Sequence, residues 1–174
     1  VLLVLVILVV VILCMIFGGG SWKTPINNVM DVLNDGDGKA YEELMPPYYK
    51  DMADALDGII DISDEDFDEE AEKQRDRLTK KYGDDAEISY EVVKKTKVDS
   101  DDIDSYNEVS DVASILSSKK AKKYKLTKAY KVKIKYTIEG EDADKTDKTT
   151  VIVGKMDGTW VLLDEGDLPI STGF

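Results

Sequence analysis

Residues 126–138 read LTKAYKVKIKYTI, and this stretch decides the fold because its side chains alternate with a period of two. One face of the predicted strand carries the even-numbered residues, which are apolar or aromatic except at Lys128. The other face carries Lys131, Lys133 and Lys135 in a row and is expected to lie in water. The pattern predicts a long, half-buried strand of an antiparallel sheet.

Three further stretches complete a strand-rich second half of the chain. Ile88, Tyr90 and Val92 alternate with polar residues, which predicts a first strand running toward Val98. A polar turn region is expected at residues 139–147 and a strand at residues 149–156. The Asp-Gly pair at 157 and 158 is a strong hairpin signal, so Trp160 is predicted to start the last strand as a buried core residue.

The first half of the chain has helical periodicity instead. A Thr-Pro pair at 24 and 25 predicts a helix start, with the hydroxyl of Thr24 as its cap, and the apolar stripe that follows stops at Gly36. Further helices are predicted at residues 38–45 and 48–56, and a longer one is opened by a capping box of Ser63 and Asp66 and closed by Gly83. Residues 99–123 form a polar insertion with an expected helical turn at 109–116. Helices followed by antiparallel strands predict an α+β fold.

An uninterrupted apolar run begins at Val1 and ends at Phe17, without a charged, amide or hydroxyl side chain. As a helix it would be roughly 25 Å long, close to the ~30 Å hydrocarbon core of a bilayer. It predicts a transmembrane anchor at residues 1–20 and a domain at residues 21–174. Cleavage of a signal peptide at the glycines 18–20 is the alternative. Because Leu13 precedes Cys14, a lipoprotein cysteine is disfavoured.

Composition narrows the function classes. The chain has 23 Lys and Arg against 36 Asp and Glu, a net charge of −13, which disfavours binding to nucleic acid and to anionic lipid headgroups. It has no His, and its one Cys lies in the apolar run, so triads and zinc sites that need these residues are excluded. The acidity, the tether and the absence of cysteine from the domain indicate a location outside the cytoplasm.

Two local features could bind a ligand. The acidic turn at residues 31–42 resembles a calcium loop, but Leu33 occupies a ligand position in either alignment of its glycines. We therefore expect no metal site and no cofactor. Of the nine tyrosines, Tyr90, Tyr130 and Tyr136 fall on the inward face of the predicted sheet, where they could line a pocket or simply fill the core.

Three short motifs carry a resemblance to a known family: the Thr-Pro pair at 24 and 25, GDGKAY at 36–41, and KMDGTWVL at 155–162. In this order they resemble the nuclear-transport-factor-2-like, cystatin-like extracytoplasmic domains of membrane-anchored Gram-positive bacterial surface proteins. The resemblance implies a cone of helices packed on a curved antiparallel sheet. In that family some members are enzymes that act in the pocket of the cone, and many are non-catalytic.

The function expected is therefore a membrane-anchored, extracytoplasmic and non-catalytic binding or assembly module. Its partners would be membrane lipid, through residues 1–17, and another protein or a second copy of the chain, with no nucleic acid. One alternative is a small enzyme of the ketosteroid-isomerase type, which needs a carboxylate on an inward strand position. A second alternative is a pilin-like filament subunit, which the lack of a glutamate near the start of the apolar run disfavours.

Overall fold

Helices and one antiparallel sheet make up the described chain, which confirms the predicted α+β class. The computed structural model describes residues 20–49, 51–52, 66–109 and 122–170. The predicted anchor, residues 1–20, lies outside these ranges except for Gly20. Among the residues that are described, no helix is long and apolar enough to cross a bilayer.

The helices are α1 (Thr24–Asp35), α2 (Gly38–Leu44), α3 (Phe67–Tyr82) and α4 (Ser100–Val109). The strands are β1 (Glu87–Lys97), β2 (Leu126–Glu139), β3 (Lys145–Met156) and β4 (Thr159–Asp164). They pair antiparallel in the order β1-β2-β3-β4, so each strand lies beside its neighbour in sequence. The described sheet is a simple meander.

The ends of α1 and α2 follow the local signals in the sequence. Pro25 occupies the first turn of α1, and Gly36 ends the helix in the left-handed conformation, at φ 65°, where it donates to the carbonyl of Val32. The side chain of Asp37 accepts from the backbone N–H of Ala40 and so caps α2. The prediction that Thr24 caps α1 is wrong, because Lys23 holds the cap position and no side chain caps it.

Helix α3 begins later than a cap at Ser63 implies. Its cap is Asp66, whose carboxylate accepts from the backbone N–H groups of Asp68 and Glu69, and Gly83 follows its last residue as predicted. Ser63 and most of the predicted helix at 48–56 lie outside the described residues. In the insertion, α4 occupies residues for which no helix is predicted, and the helical turn predicted at 109–116 falls almost wholly outside the described ranges.

The main core lies between α1, α2 and α3 and one face of the sheet, which we call the helix-side face. The inward residues predicted for β1 and β2 lie in or against it with three exceptions: Val92 is 37% exposed, Lys128 is exposed, and Leu126 lies in a second core. The polar turn predicted at 139–147 is too long, because β3 already begins at Lys145. There the hydroxyls of Thr137 and Thr146 meet across the two strands at 3.3 Å, and Tyr136 contacts Lys145.

The opposite face of the sheet, which we call the α4-side face, does not lie wholly in water, although the sequence predicts that it does. The register of β2 and β3 shifts between Leu126 and Lys128, and Ala129 is buried there. Asn107 of α4 fixes the helix to β2, because its amide donates to the carbonyl of Leu126 at 2.9 Å and accepts from the N–H of Leu126 at 2.8 Å. A second, smaller core forms beneath α4 from Val98, Ile103, Leu126, Ala129, Met156 and Val161.

The predicted hairpin between β3 and β4 is confirmed. Asp157 and Gly158 both adopt positive φ, 47° and 82°, as a two-residue hairpin turn of type I′ requires. Strand β4 begins at Thr159, one residue before the predicted start at Trp160, and Trp160 is 9% exposed, so its predicted burial is confirmed.

Candidate functional site

A β-bulge in β1 decides which side chains reach the open end of the helix-side face. The pairing of β1 with β2 shifts between Val92 and Lys94, so that Lys95 lies opposite Val132 and Lys97 lies opposite Tyr130. Partners in an antiparallel register lie on the same face of the sheet. Without the extra residue, Lys94 and Thr96 would occupy these positions. The bulge therefore places two exposed lysines beside the ring of Tyr130.

Three aromatic rings meet at this end of the sheet. Tyr130 stacks on Trp160 with ring centroids 5.4 Å apart and an angle of 14° between the ring planes. Trp22, from the turn before α1, packs edge-on against Tyr130 at 6.4 Å and 71°. Trp160 is buried, whereas Tyr130 and Trp22 are half-buried. The rings thus run from the core of the sheet out to the surface.

Lysine ammonium groups surround these rings. The Nζ atom of Lys95 lies 4.7 Å from the centroid of the Trp22 ring and 4.6 Å from that of Tyr130. The Nζ atom of Lys128 lies 5.2 Å from the Tyr130 ring. These distances are typical of cation–π contacts.

The pKa of the Tyr130 hydroxyl is lowered by the positive charge around it. A hydrogen bond from Lys128 lowers the pKa of the Tyr130 hydroxyl, and the positive charges of Lys128, Lys95 and Lys97 lower it further, while desolvation opposes them. Within the described part of the chain, none of these three lysines forms an ion pair with a carboxylate. The potential here is positive although the whole chain is strongly acidic.

We call this site the aromatic–lysine surface and define it by six residues: Trp22, Lys95, Lys97, Lys128, Tyr130 and Trp160. It combines fixed aromatic rings with exposed ammonium groups that can pair with an anion. It offers no carboxylate or imidazole that could move a proton. Its chemistry is that of binding a negatively charged partner.

The three tyrosines predicted to share a pocket lie in different places. The hydroxyl of Tyr90 donates to the side chain of Asn27 in α1 at 2.7 Å. Tyr136 is 1% exposed, and its hydroxyl accepts from Lys145 at 2.7 Å and donates to the carbonyl of Asp167 at 3.3 Å. Tyr130 lies six positions from Tyr136 along β2, roughly 20 Å away. Only Tyr130 belongs to the aromatic–lysine surface, and contact of any of the three with a ligand stays a prediction.

The sequence reasoning missed Trp22, Lys95 and Lys97. The adjacent Trp and Lys at 22 and 23, separated from the apolar run by residues 18–21 alone, were a usable signal for an interfacial position. The placement of Lys95 and Lys97 had no such signal, because a regular alternation puts both lysines on the opposite face.

Two grooves lie beneath α4, with volumes of about 570 and 430 Å³. Val98, Ile103 and Leu126 line both of them, and the second also has Tyr106 in its wall. None of the three predicted tyrosines is among the described residues that line them.

The acidic turn uses its polar groups within the fold. Asn34 donates to the carbonyl of Ile88 at 3.0 Å and accepts from the N–H of Ile88 at 2.8 Å, and Asp37 caps α2. Asp31 lies inside α1, as expected. Its pKa is raised, first by burial and then by the nearby charges of Asp35, Asp37 and Glu43. Among the described residues, no group of acidic side chains is arranged to hold a metal ion.

Comparison of the chain with protein-family models, curated proteins and solved structures finds no match.

Proposed function

We propose that this chain is a membrane-anchored, extracytoplasmic module that binds a partner and carries out no catalysis. The observation that supports binding best is the aromatic–lysine surface, because it presents packed rings and lysines that have no carboxylate partner among the described residues, on a molecule with a net charge of −13. In the same proposal the domain is a cystatin-like cone. A helical layer on one face of a four-stranded meander, with register shifts that bend its strands, supports that fold.

The arrangement of carboxylates gives little support to the ketosteroid-isomerase alternative. Asp147 pairs with Tyr136 in the register of β2 and β3, so it occupies the helix-side face of the sheet. It is exposed, and its pKa is lowered by a hydrogen bond from the backbone N–H of Lys148 and by Lys145. A general base in an apolar cavity needs the opposite shift, since burial without a cation raises the pKa of a carboxyl.

The anchor and its orientation can be tested together with the full chain expressed in cells. We would replace Cys14 with serine and introduce one cysteine at the exposed position 94 of β1 (Lys94→Cys). We expect the chain to stay in the membrane fraction after a carbonate wash, and a membrane-impermeant maleimide to label intact cells as fully as lysed ones. Release by carbonate would contradict the anchor, and labelling only after lysis would contradict the extracytoplasmic location.

A further inference from the structure

The aromatic–lysine surface lies next to the predicted membrane anchor along the chain. Trp22 is part of that surface, and it follows Phe17 by five positions. Even a fully extended chain covers only about 3.5 Å per residue, so Trp22 lies within roughly 18 Å of the end of the apolar run. Tyr130 packs directly on Trp22, and Lys95 contacts both rings. The whole surface must therefore stay close to the bilayer that holds the anchor.

The composition of this surface suits the interface between lipid and water. Tryptophan and tyrosine rings concentrate at the level of the lipid headgroups, because one part of each ring system is apolar and another forms hydrogen bonds. Lysines beside a membrane segment are attracted to anionic headgroups. Lys95, Lys97 and Lys128 are exposed, and within the described residues they have no carboxylate partner that would compete with a headgroup.

The charge of the rest of the molecule favours one orientation. The net charge of −13 means that most of the domain surface is repelled by an anionic bilayer. An acidic domain that is tethered beside a cluster of lysines has least repulsion when that cluster faces the membrane. The lysines of the α4-side face lie on the other side of the sheet, so the position of the tether selects the aromatic–lysine surface.

We propose that the aromatic–lysine surface docks on the anionic headgroup layer of the bilayer that carries the anchor, and so fixes the orientation of the domain on the membrane. This inference rests on the proposed function, because it needs residues 1–17 to be in the bilayer. The partner is the anionic lipid surface itself, and the acidic remainder of the domain faces away from it.

The test uses the full chain reconstituted into phosphatidylcholine vesicles with or without phosphatidylglycerol. A membrane-impermeant amine-reactive reagent, read out by mass spectrometry, measures the reactivity of each lysine on outward-facing domains. We expect the reactivity of Lys95, Lys97 and Lys128 to fall at least about threefold with phosphatidylglycerol and to recover in high salt. Three exposed lysines of the α4-side face serve as internal controls whose reactivity should not change: Lys94, Lys133 and Lys148.

Two charge-reversal variants separate local charge from net charge. One replaces the three lysines of the surface (Lys95→Glu, Lys97→Glu and Lys128→Glu). The other makes the same change at the three control lysines, so both variants have the same net charge. The reporter in both is Lys155, which lies opposite Trp160 in the register of β3 and β4. Phosphatidylglycerol should protect Lys155 in the control variant and should not protect it in the surface variant.

Flotation with pure phosphatidylcholine vesicles tests the anchor without docking. If the chain fails to float, the proposed anchor is wrong and the docking inference falls with it. If the chain floats but the lysine reactivities are equal in both lipids, the docking inference alone is overturned. A last outcome would also overturn the docking inference: soluble dextran sulfate lowers the reactivity of the three surface lysines in phosphatidylcholine vesicles, and phosphatidylglycerol does not. That result would assign the surface to a soluble polyanion.

Discussion

Tyr130 has a different environment on each face and edge of its ring. Trp160 stacks on it from the core, whereas Trp22, Lys95 and Lys128 contact it from the solvent side. The stack holds the ring in one position, and a ring held in place gives the lysines a fixed site for cation–π contacts. Packing in the core and charge at the surface are therefore coupled through one side chain.

Trp160→Ala should destabilise the domain by about 3 to 5 kcal/mol, because it removes a large buried ring and leaves a cavity beneath Tyr130. Trp160→Phe is the matched control and should cost clearly less, since it keeps an aromatic ring in the stack. The measurement is urea unfolding of the full chain in detergent, followed by far-UV circular dichroism. A loss below about 1 kcal/mol for Trp160→Ala would mean that the ring contributes little to the core.

At the scale of elements, the features that could be predicted from the sequence are those that depend on residues close together in the chain. The end of α1 at Gly36 and the hairpin at Asp157 and Gly158 depend on backbone conformations that few residues adopt, so the residue type alone indicates them. The bulge after Val92 has no comparable signal. It depends on the pairing of β1 with β2, in which Val92 lies opposite Ile134, a residue 42 positions away in sequence.

Helix α4 was missed for a related reason. Its sequence, SDDIDSYNEV, has few apolar residues, and of the side chains that the structure describes in it only Ile103 is buried in the second core. The helix is held instead by the hydrogen bonds of Asn107 to Leu126, a partner 19 positions away in sequence. Contacts at that separation cannot be read from a local pattern. The same limit applies to the candidate site, of which the sequence identified Tyr130 and Trp160 but not the lysines that join them.

Arg75 joins three elements, and its replacement tests how far they depend on one another. Its guanidinium donates to the carbonyls of Leu33 in α1 and of Asp84 and Ala86 in the turn before β1. Arg75→Gln should cost about 2 kcal/mol, because charged hydrogen bonds to backbone carbonyls are lost.

Arg77→Gln is the matched control, since Arg77 is exposed and contacts Gln74 of its own helix. It should change the free energy of unfolding by less than about 0.5 kcal/mol. Equal effects of the two replacements would contradict the role of Arg75.

At the scale of the whole molecule, net charge is a poor guide to local potential. The sequence-based argument from the charge of −13 disfavoured contact with anionic lipid. The fold places the lysines of β1 and β2 together at one end of the sheet, where Tyr130 experiences their combined positive charge. An average over the surface cannot contain this information, because it depends on which strands become neighbours.

The same net charge leads to a prediction about calcium. The acidic turn after α1 attracts cations, but Asn34 is bonded to Ile88, the carboxylate of Asp37 caps α2, and Asp31 is fixed in a helix. A calcium ion needs about 6 to 8 oxygen ligands that can wrap around it, and these groups cannot do so without breaking the fold. We therefore expect only diffuse attraction, which salt screens. Calorimetry of the full chain in detergent at ~0.15 M salt should show no saturable binding. A 1:1 isotherm tighter than about 0.1 mM that Asp35→Ala abolishes would show that the turn is a ligand loop.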